Sequence, residues 1–219
     1  WHTLSLHDAL PISDKTRGCA QSAYQIQVNH LRNGQTTPLW DSGKVESDQS
    51  VNVPYAGEPL ASAWDCRWRV RVWDERGNVS PRSDEARFVM GLLDASAWSG
   101  DWIRAGQIEE HQHAWFRKTF EFASVPSDAV VYLCSIGYHE LYINGQRVGD
   151  AVLTPGVTNL ARRALYMTYD IASLLREGEN VIAVWTGPGW ARADGSYGKG
   201  VWDQTAMFQA QLYINGDAW

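Results

Sequence analysis

The chain has 219 residues, 44% of them apolar, enough for one large β domain or two ordinary domains with separate cores. Its formal charge is -6, from 25 acidic against 19 basic residues with no basic run, so the electrostatic footprint of a nucleic-acid binder is missing. Polar or charged residues interrupt every apolar run well short of the roughly 18 to 20 residues that cross a bilayer as a helix, so no membrane partner is expected.

Residues 1–14 begin WHTLSLHDALPIS, without the basic stretch and apolar core of a secretory signal. They are set aside as a non-native or disordered leader. From Tyr24 the pattern has period two, with Tyr24, Ile26 and Val28 on one face and Gln25, Gln27 and Asn29 on the other. A turn is predicted at Asp41-Ser42-Gly43 and a short strand in SVNVPY. The strongest alternation lies in DCRWRVRVWDERGNVS, where Cys66, Trp68, Val70 and Val72 share a face opposite Arg67, Arg69 and Arg71. With EARFVMGLL, these strands predict a small β-sandwich over residues 15–92.

After a stretch carrying Trp98 and Trp102, the segments HAWFRKTFEF, AVVYLCSIGYHELYING, QRVGDAVL, ALYMTYDI, NVIAVWTG and TAMFQAQLYING all read as strands. One short helix is expected in DIASLLREGEN, capped by Asp170, with Ile171, Leu174 and Leu175 on one side and Gly178 ending it. Residues 93–219 therefore predict a second, larger, jelly-roll-like sandwich, and the whole chain is expected to be all-β. Leu-Tyr-Ile-Asn-Gly occurs twice, at residues 141–145 and 212–216. Asn-Gly between alternating strands is a hairpin signal, because a type I′ turn requires positive φ at both central positions. The chain stops just beyond the second turn, where a returning strand is expected.

Candidate sites are few. Cys19, Cys66 and Cys134 are far apart, show no C-x-x-C pair and read as free thiols. Twelve tryptophans and nine tyrosines suit both sheet packing and sugar stacking, since a flat apolar ring matches the C–H face of a pyranose. TGPGWARADGSYGKGVWDQ is the best binding loop, and Trp190, Tyr197 and Trp202, with Asn144 at the first turn, are the candidate carbohydrate-binding residues. Asp194, Asp203 and Asn144 offer hard oxygens for calcium, but no D-x-D-x-D-G spacing supports such a site; no organic cofactor is expected. GSYGKG lacks the spacing of a phosphate loop, and His111 and His113 lack a third metal ligand. Glu140 and Asp150 flank the first hairpin and could approach each other, yet solvated strand ends explain them equally well. No catalytic residue is assigned within the chain.

The succession LWDSGKV, WRVRVWDERGNVS, FVMGLLDASAWSGDWI, WFRKTFEF, GYHELYINGQRVGD, LTPGVTNLARRALYMTYDI and LLREGENVIAVWTGPGW resembles the amino-terminal region of bacterial α-L-rhamnosidases over about residues 17–219. The resemblance implies a fibronectin type III-like domain followed by a rhamnosidase N-terminal β-sandwich related to carbohydrate-binding modules. It implies a partner domain beyond this chain, a helical barrel that carries the catalytic carboxylates. It also implies a ligand, a rhamnose-containing carbohydrate hydrolysed with inversion by water, with two carboxyl groups roughly 6.5 to 9.5 Å apart. A free-standing carbohydrate-binding module for such glycans is the alternative. Two departures stand out. After TPG the family usually shows Trp, Thr, Asp and Tyr, where this chain has Val157, Thr158, Asn159 and Leu160; and Cys66 sits near the place of a corner tyrosine.

Overall fold

A computed structural model describes residues 3–4, 18–106, 113–160, 162–192 and 206–219. The chain divides into two compact units, one ending at Leu93 and the other beginning at Asp94. Among the described residues the regular elements of each are strands apart from short 3-10 turns, the all-β architecture that the alternating patterns predict.

In the first unit, β2 (Gln21–Arg32) and β6 (Asp65–Asp74) form the central pair of a sheet ordered β3-β2-β6-β7, with β3 at Gln35–Asp41 and β7 at Ala86–Val89; β4 (Val45–Glu46) also pairs with β2. Within the leader, β1 (Thr3–Leu4) pairs with β5 (Val53–Pro54); the rest of residues 1–14 lies outside the described residues. The predicted faces hold, since Tyr24, Ile26, Val28, Cys66, Trp68, Val70 and Val72 are buried together with Val53 and Met90. Pro38, which cannot donate to a ladder, sits on edge strand β3 opposite a register shift between Val28 and Asn29. Arg67 and Arg87 face each other across β6 and β7, a repulsive pairing on its own. Buried Asp65 resolves it, accepting from Arg67 at 2.9 Å and Arg87 at 3.1 Å. The chain already follows β6 before β7 begins. Ser80 and Ser83 donate their backbone N–H groups to Val72 and Val70, and their hydroxyl oxygens accept the N–H groups of the same two residues.

The second unit is a sandwich of two sheets. One is ordered β13-β10-β15-β16, with β10 at Ala129–Ile136, β13 at Tyr166–Asp170, β15 at Met207–Ile214 and β16 at Asp217–Ala218; β8 (Ile103–Arg104) also pairs with β15. The other is ordered β12-β11-β14-β9, with β9 at Ala114–Phe122, β11 at Tyr138–Ile143, β12 at Gln146–Arg147 and β14 at Gly178–Gly187. Between them lie Phe120, Val131, Leu133, Leu141, Ile143, Val184, Phe208 and Leu212. Each large aliphatic side chain so buried contributes about 1.5 to 3 kcal/mol. β10 is buried on both faces: Tyr132 lies on the side away from this core, edge-on to Tyr166 and Tyr213, and Trp98 covers Tyr166 in turn. The chain passes from one sheet to the other in a single residue, Gly137, at φ +112°. A Cβ there would lie 2.5 Å from the Gly187 carbonyl oxygen, so only glycine fits.

Two expected elements are shorter than the sequence suggests. QRVGDAVL forms a strand only at Gln146 and Arg147, with one further bond from the Val148 N–H to the Leu141 carbonyl, before Gly149 at φ +75° turns the chain away. The expected helix after Asp170 is one 3-10 turn, Ala172–Leu174. Asp170 does accept the Ala172 N–H, but Asn180 accepts the Arg176 N–H and donates to the carbonyls of Arg176 and Gly178, drawing the backbone into β14 before a second turn forms. Among the described cysteines, Cys19 is exposed, while Cys66 and Cys134 are buried, and burial pushes their thiols up to about 12 and about 11.

Both repeated Asn-Gly pairs are hairpin turns. Asn144 and Gly145 lie at φ +51° and +81°, Asn215 and Gly216 at +50° and +87°, and a third pair, Asn33-Gly34, behaves alike. The repeated asparagines also bind neighbouring segments. Asn144 donates to the Leu174 carbonyl and to Asn180 Oδ1 and accepts the Val181 N–H, each at 2.9 Å. Asn215 Oδ1 accepts the N–H groups of Ser127 and Asp128 and the Ser127 hydroxyl. Replacing Asn144 with Ala should therefore cost about 2 to 4 kcal/mol, from the left-handed backbone plus the lost bonds, against about 1 kcal/mol for Ala at exposed Asn33. Denaturant unfolding of both variants checks this, and equal losses would show that the side-chain bonds contribute nothing.

Candidate functional site

Period two along β11 buries His139, Leu141 and Ile143 and turns Tyr138, Glu140 and Tyr142 to the outer face of the four-stranded sheet. Register then sets Glu140 opposite Trp185 of β14, and Trp185 opposite Trp115 of β9. Trp115 is 58% exposed. Its ring lies 6.0 Å from Trp185 and 5.1 Å from Tyr142, and His113 stacks on Trp185 at 5.2 Å. In the middle, Glu140 accepts the hydroxyls of Tyr138 and Tyr142, both at 2.6 Å, and lies 3.3 Å from Arg147. Partial burial of Glu140 opposes ionisation, but the two phenol bonds and the Arg147 charge outweigh it and hold the carboxyl below its ordinary value. Burial, followed by the bond to Glu140, pushes Tyr138 up to about 12, so it remains a hydroxyl donor at neutral pH.

Beside this row opens a cavity of about 530 Å³ lined by His113, Tyr138, Trp185, the loop Leu153–Pro155 and three glycines, Gly137, Gly187 and Gly189. The glycines make the space: a Cβ on Gly187 would stand 2.7 Å from His113 Nδ1, and one on Gly189 would stand 3.0 Å from Tyr138. Below it, the His139 N–H donates to the Thr154 carbonyl and the Thr154 hydroxyl donates to the His139 carbonyl, tying the loop to β11. The fully buried His139 ring is held at both nitrogens. Ser135 Oγ donates to the Gly137 carbonyl, which leaves its oxygen to accept from Nδ1–H at 2.7 Å, and Nε2 accepts the Tyr169 hydroxyl at 2.9 Å.

Of the sequence-predicted site residues, only the Asn144 side chain is placed relative to this cavity. Asn144 lies at the far end of β11 from the cavity, with its amide committed to Leu174, Asn180 and Val181. Trp190 belongs to a 3-10 turn, Gly189–Arg192, that leaves the cavity rim. Tyr197 and Trp202, the proposed calcium ligands Asp194 and Asp203, and His111 all lie outside the described residues. Among the described residues, no group of three or more His, Cys, Asp or Glu side chains could hold a metal ion. Glu140 and Asp150 do not face each other as acid and base, because Glu140 is already engaged by two phenols and a guanidinium, while Asp150 is exposed beyond the end of β12. Sequence reasoning missed Trp115 and Trp185, and weighed His113 only as a metal ligand. Their signal was aromatic residues at outward positions of separate strands, readable only once the register was known.

The fold is an all-β pair of units, the second a sandwich that carries this aromatic face on its four-stranded sheet. Residues 124–218 match the family model "Alpha-L-rhamnosidase N-terminal domain", and residues 11–94 match "Rha78A-like, N-terminal immunoglobulin domain", an immunoglobulin description where the sequence suggested a fibronectin type III-like one. Together the two models take in most of the chain, which belongs to the amino-terminal region of the α-L-rhamnosidase family. An α-L-rhamnosidase of Formosa agariphila is 34% identical over 200 residues, 85% of this chain and 21% of the relative, and one of Alteromonas sp. is 31% identical over 192 residues, 82% and 21%. The crystal structure of the Aspergillus terreus enzyme superposes with a TM-score of 0.76 at 30% identity, over 94% of this chain and 25% of that one. This chain thus spans about a fifth of the length of the curated relatives it matches.

His139 makes the site's foundation sensitive to acid. Its pKa falls from 6.5 to about 4 through burial. Between those values the unfolded chain binds a proton that the folded chain refuses, so stability is complete above pH 6.5 and declines as pH falls to about 4, by about 3 kcal/mol. Urea unfolding across that range should show the decline and should show it reduced in His139→Gln; an identical pH slope in the variant would remove His139 as its cause.

Proposed function

We propose that this chain is the non-catalytic amino-terminal portion of an enzyme that hydrolyses terminal α-L-rhamnosides with inversion, water serving as nucleophile. The catalytic carboxylates lie in a helical barrel farther along the same polypeptide. The supporting observation is the order of the two matched domains, each described as amino-terminal in this enzyme family, in a chain that spans 21% of the Formosa agariphila relative. The state of Glu140 agrees with this reading. Glycoside hydrolysis by inversion needs a protonated acid facing a second carboxylate across the glycosidic bond, whereas Glu140 is held ionised and faces a guanidinium.

A second reading, a stand-alone module for rhamnose-containing glycans, is favoured by the outward aromatic row of exposed Trp115 with half-buried Trp185 and Tyr142. The coding sequence beyond residue 219 separates the two, with a long helical region supporting the enzyme and a stop codon supporting the module. Incubated with p-nitrophenyl α-L-rhamnopyranoside, the 219-residue chain alone should release no p-nitrophenol. Turnover that survives purification to homogeneity would place the catalytic groups inside this chain and overturn the proposal.

A further inference from the structure

We propose that Asn33, in the turn that joins β2 to β3, is a site of spontaneous covalent modification, where the side-chain amide is lost through a succinimide to give aspartate and isoaspartate. The two Asn-Gly pairs of the second unit are protected from the same reaction by the hydrogen bonds that clamp their turns. The site lies in the first unit, rests on backbone chemistry alone and holds under either reading of the parent protein.

The reaction needs water and no other reagent. The Gly34 amide nitrogen, on losing its proton, attacks Cγ of Asn33. The new N–Cγ bond closes the succinimide ring, the Cγ–Nδ2 bond breaks, and Nδ2 takes up the proton and leaves as ammonia. Water then opens the ring, its hydroxyl going to a carbonyl carbon and its remaining proton to the nitrogen that is released. Addition at Cγ yields aspartate, and addition at the main-chain carbonyl yields isoaspartate, whose backbone runs through the former side chain. Nothing is oxidised or reduced. A glycine after the asparagine favours the first step, because no Cβ shields the attacking nitrogen. Asn29, Asn52, Asn78, Asn159 and Asn180 instead precede His, Val or Leu.

The three Asn-Gly turns share one backbone conformation, with φ of +51° and +74° at Asn33-Gly34 against +51° and +81° at Asn144-Gly145 and +50° and +87° at Asn215-Gly216. What separates them is the state of the amide. Asn33 and Gly34 are exposed, a Cβ built on Gly34 would meet nothing within 4 Å, and among the described residues the Asn33 side chain has no hydrogen-bond partner. Asn144 and Asn215 are half-buried. Asn144 has Nδ2 bonded to the Leu174 carbonyl and Asn180 and Oδ1 bonded to the Val181 N–H, while Asn215 Oδ1 accepts two backbone N–H groups and the Ser127 hydroxyl. Those bonds point each amide at a neighbouring segment and hold Cγ off the glycine nitrogen of its own turn. Attack requires the hairpin tip to open, which at Asn33 breaks no side-chain bond. Three bonds of ordinary net strength make the same opening about a hundredfold rarer at the other two turns. The product places a carboxylate at the tip of an edge hairpin, adding one negative charge to a chain of formal charge -6.

The test incubates the 219-residue chain at mildly alkaline pH and physiological temperature, folded and in denaturing urea, and follows each Asn-Gly pair by peptide mass spectrometry over several weeks. Trypsin separates the three pairs into different peptides, a zero-time sample corrects for loss during digestion, and electron-transfer fragmentation distinguishes aspartate from isoaspartate. In the folded chain Asn33 should convert at least about tenfold faster than Asn144 and Asn215, giving both products, whereas in urea the three should convert at rates within about twofold of one another. Isoelectric focusing should show an acidic band growing with time in the folded chain and missing in Asn33→Gln, whose longer side chain closes its ring far more slowly; circular dichroism checks that the variant is folded. The proposal is overturned if Asn144 or Asn215 converts as fast as Asn33 in the folded chain, if folded Asn33 keeps its amide while the chain in urea loses all three, if the Asn33 product is aspartate alone, or if the acidic band persists in Asn33→Gln. None of these readouts depends on rhamnosidase activity.

Discussion

The second unit depends on strand register, and register is held where the hairpins turn. An antiparallel strand that slips by one residue exchanges its inner and outer faces completely. Here the slip is blocked by asparagine side chains that reach from the turn to the first residues of the strand being paired. Asn144 holds the start of β14, and Asn215 holds the residues just before β10. The repeated pentapeptide is therefore one structural device used once in each sheet, burying its leucine, bending at Asn-Gly and clamping the neighbour.

What that clamp secures is the outer surface. With β11, β14 and β9 in register, Glu140, Trp185 and Trp115 fall in one row across three strands. Shifting β14 by a single position would bury Trp185 and bring Val184 to the surface. The glycine corner at residue 137 sets where the row ends, because it begins β11 beside the Gly187 carbonyl, where no larger residue fits. The aromatic row, the paired carboxylate and the cavity thus share one cause, the way two sheets are joined and aligned.

Much of this was legible in the sequence, and the exceptions have physical reasons. Alternation in residues 24–29 and 66–72 declared the core faces of the first unit, because period two is a local property of a strand. The hairpins at Asn144 and Asn215 were equally plain, while the matching pair at Asn33 went unremarked for want of a repeated frame. The row containing Trp115 and Trp185 could not be read, since those residues are seventy positions apart and meet only through the ladder. The residues the sequence offered, Trp190, Tyr197 and Trp202, share one glycine-rich segment that lies largely outside the described residues, and the amide of Asn144 is occupied. The helix expected after Asp170 failed for a related reason: its ending is dictated by Asn180, a buried amide whose importance lies in the backbone groups it captures.

The cysteines have a practical use. Cys66 lies in the core of the first unit and Cys134 in the central strand of the second, and each has its ionisation suppressed by burial. A thiol that neither ionises nor meets solvent reacts with an alkylating reagent only while its surroundings are open. Exposed Cys19 supplies the unprotected rate in the same molecule. The chain thus carries a native chemical clock for each half, from which the opening of one sandwich can be timed separately from the other without introducing a label.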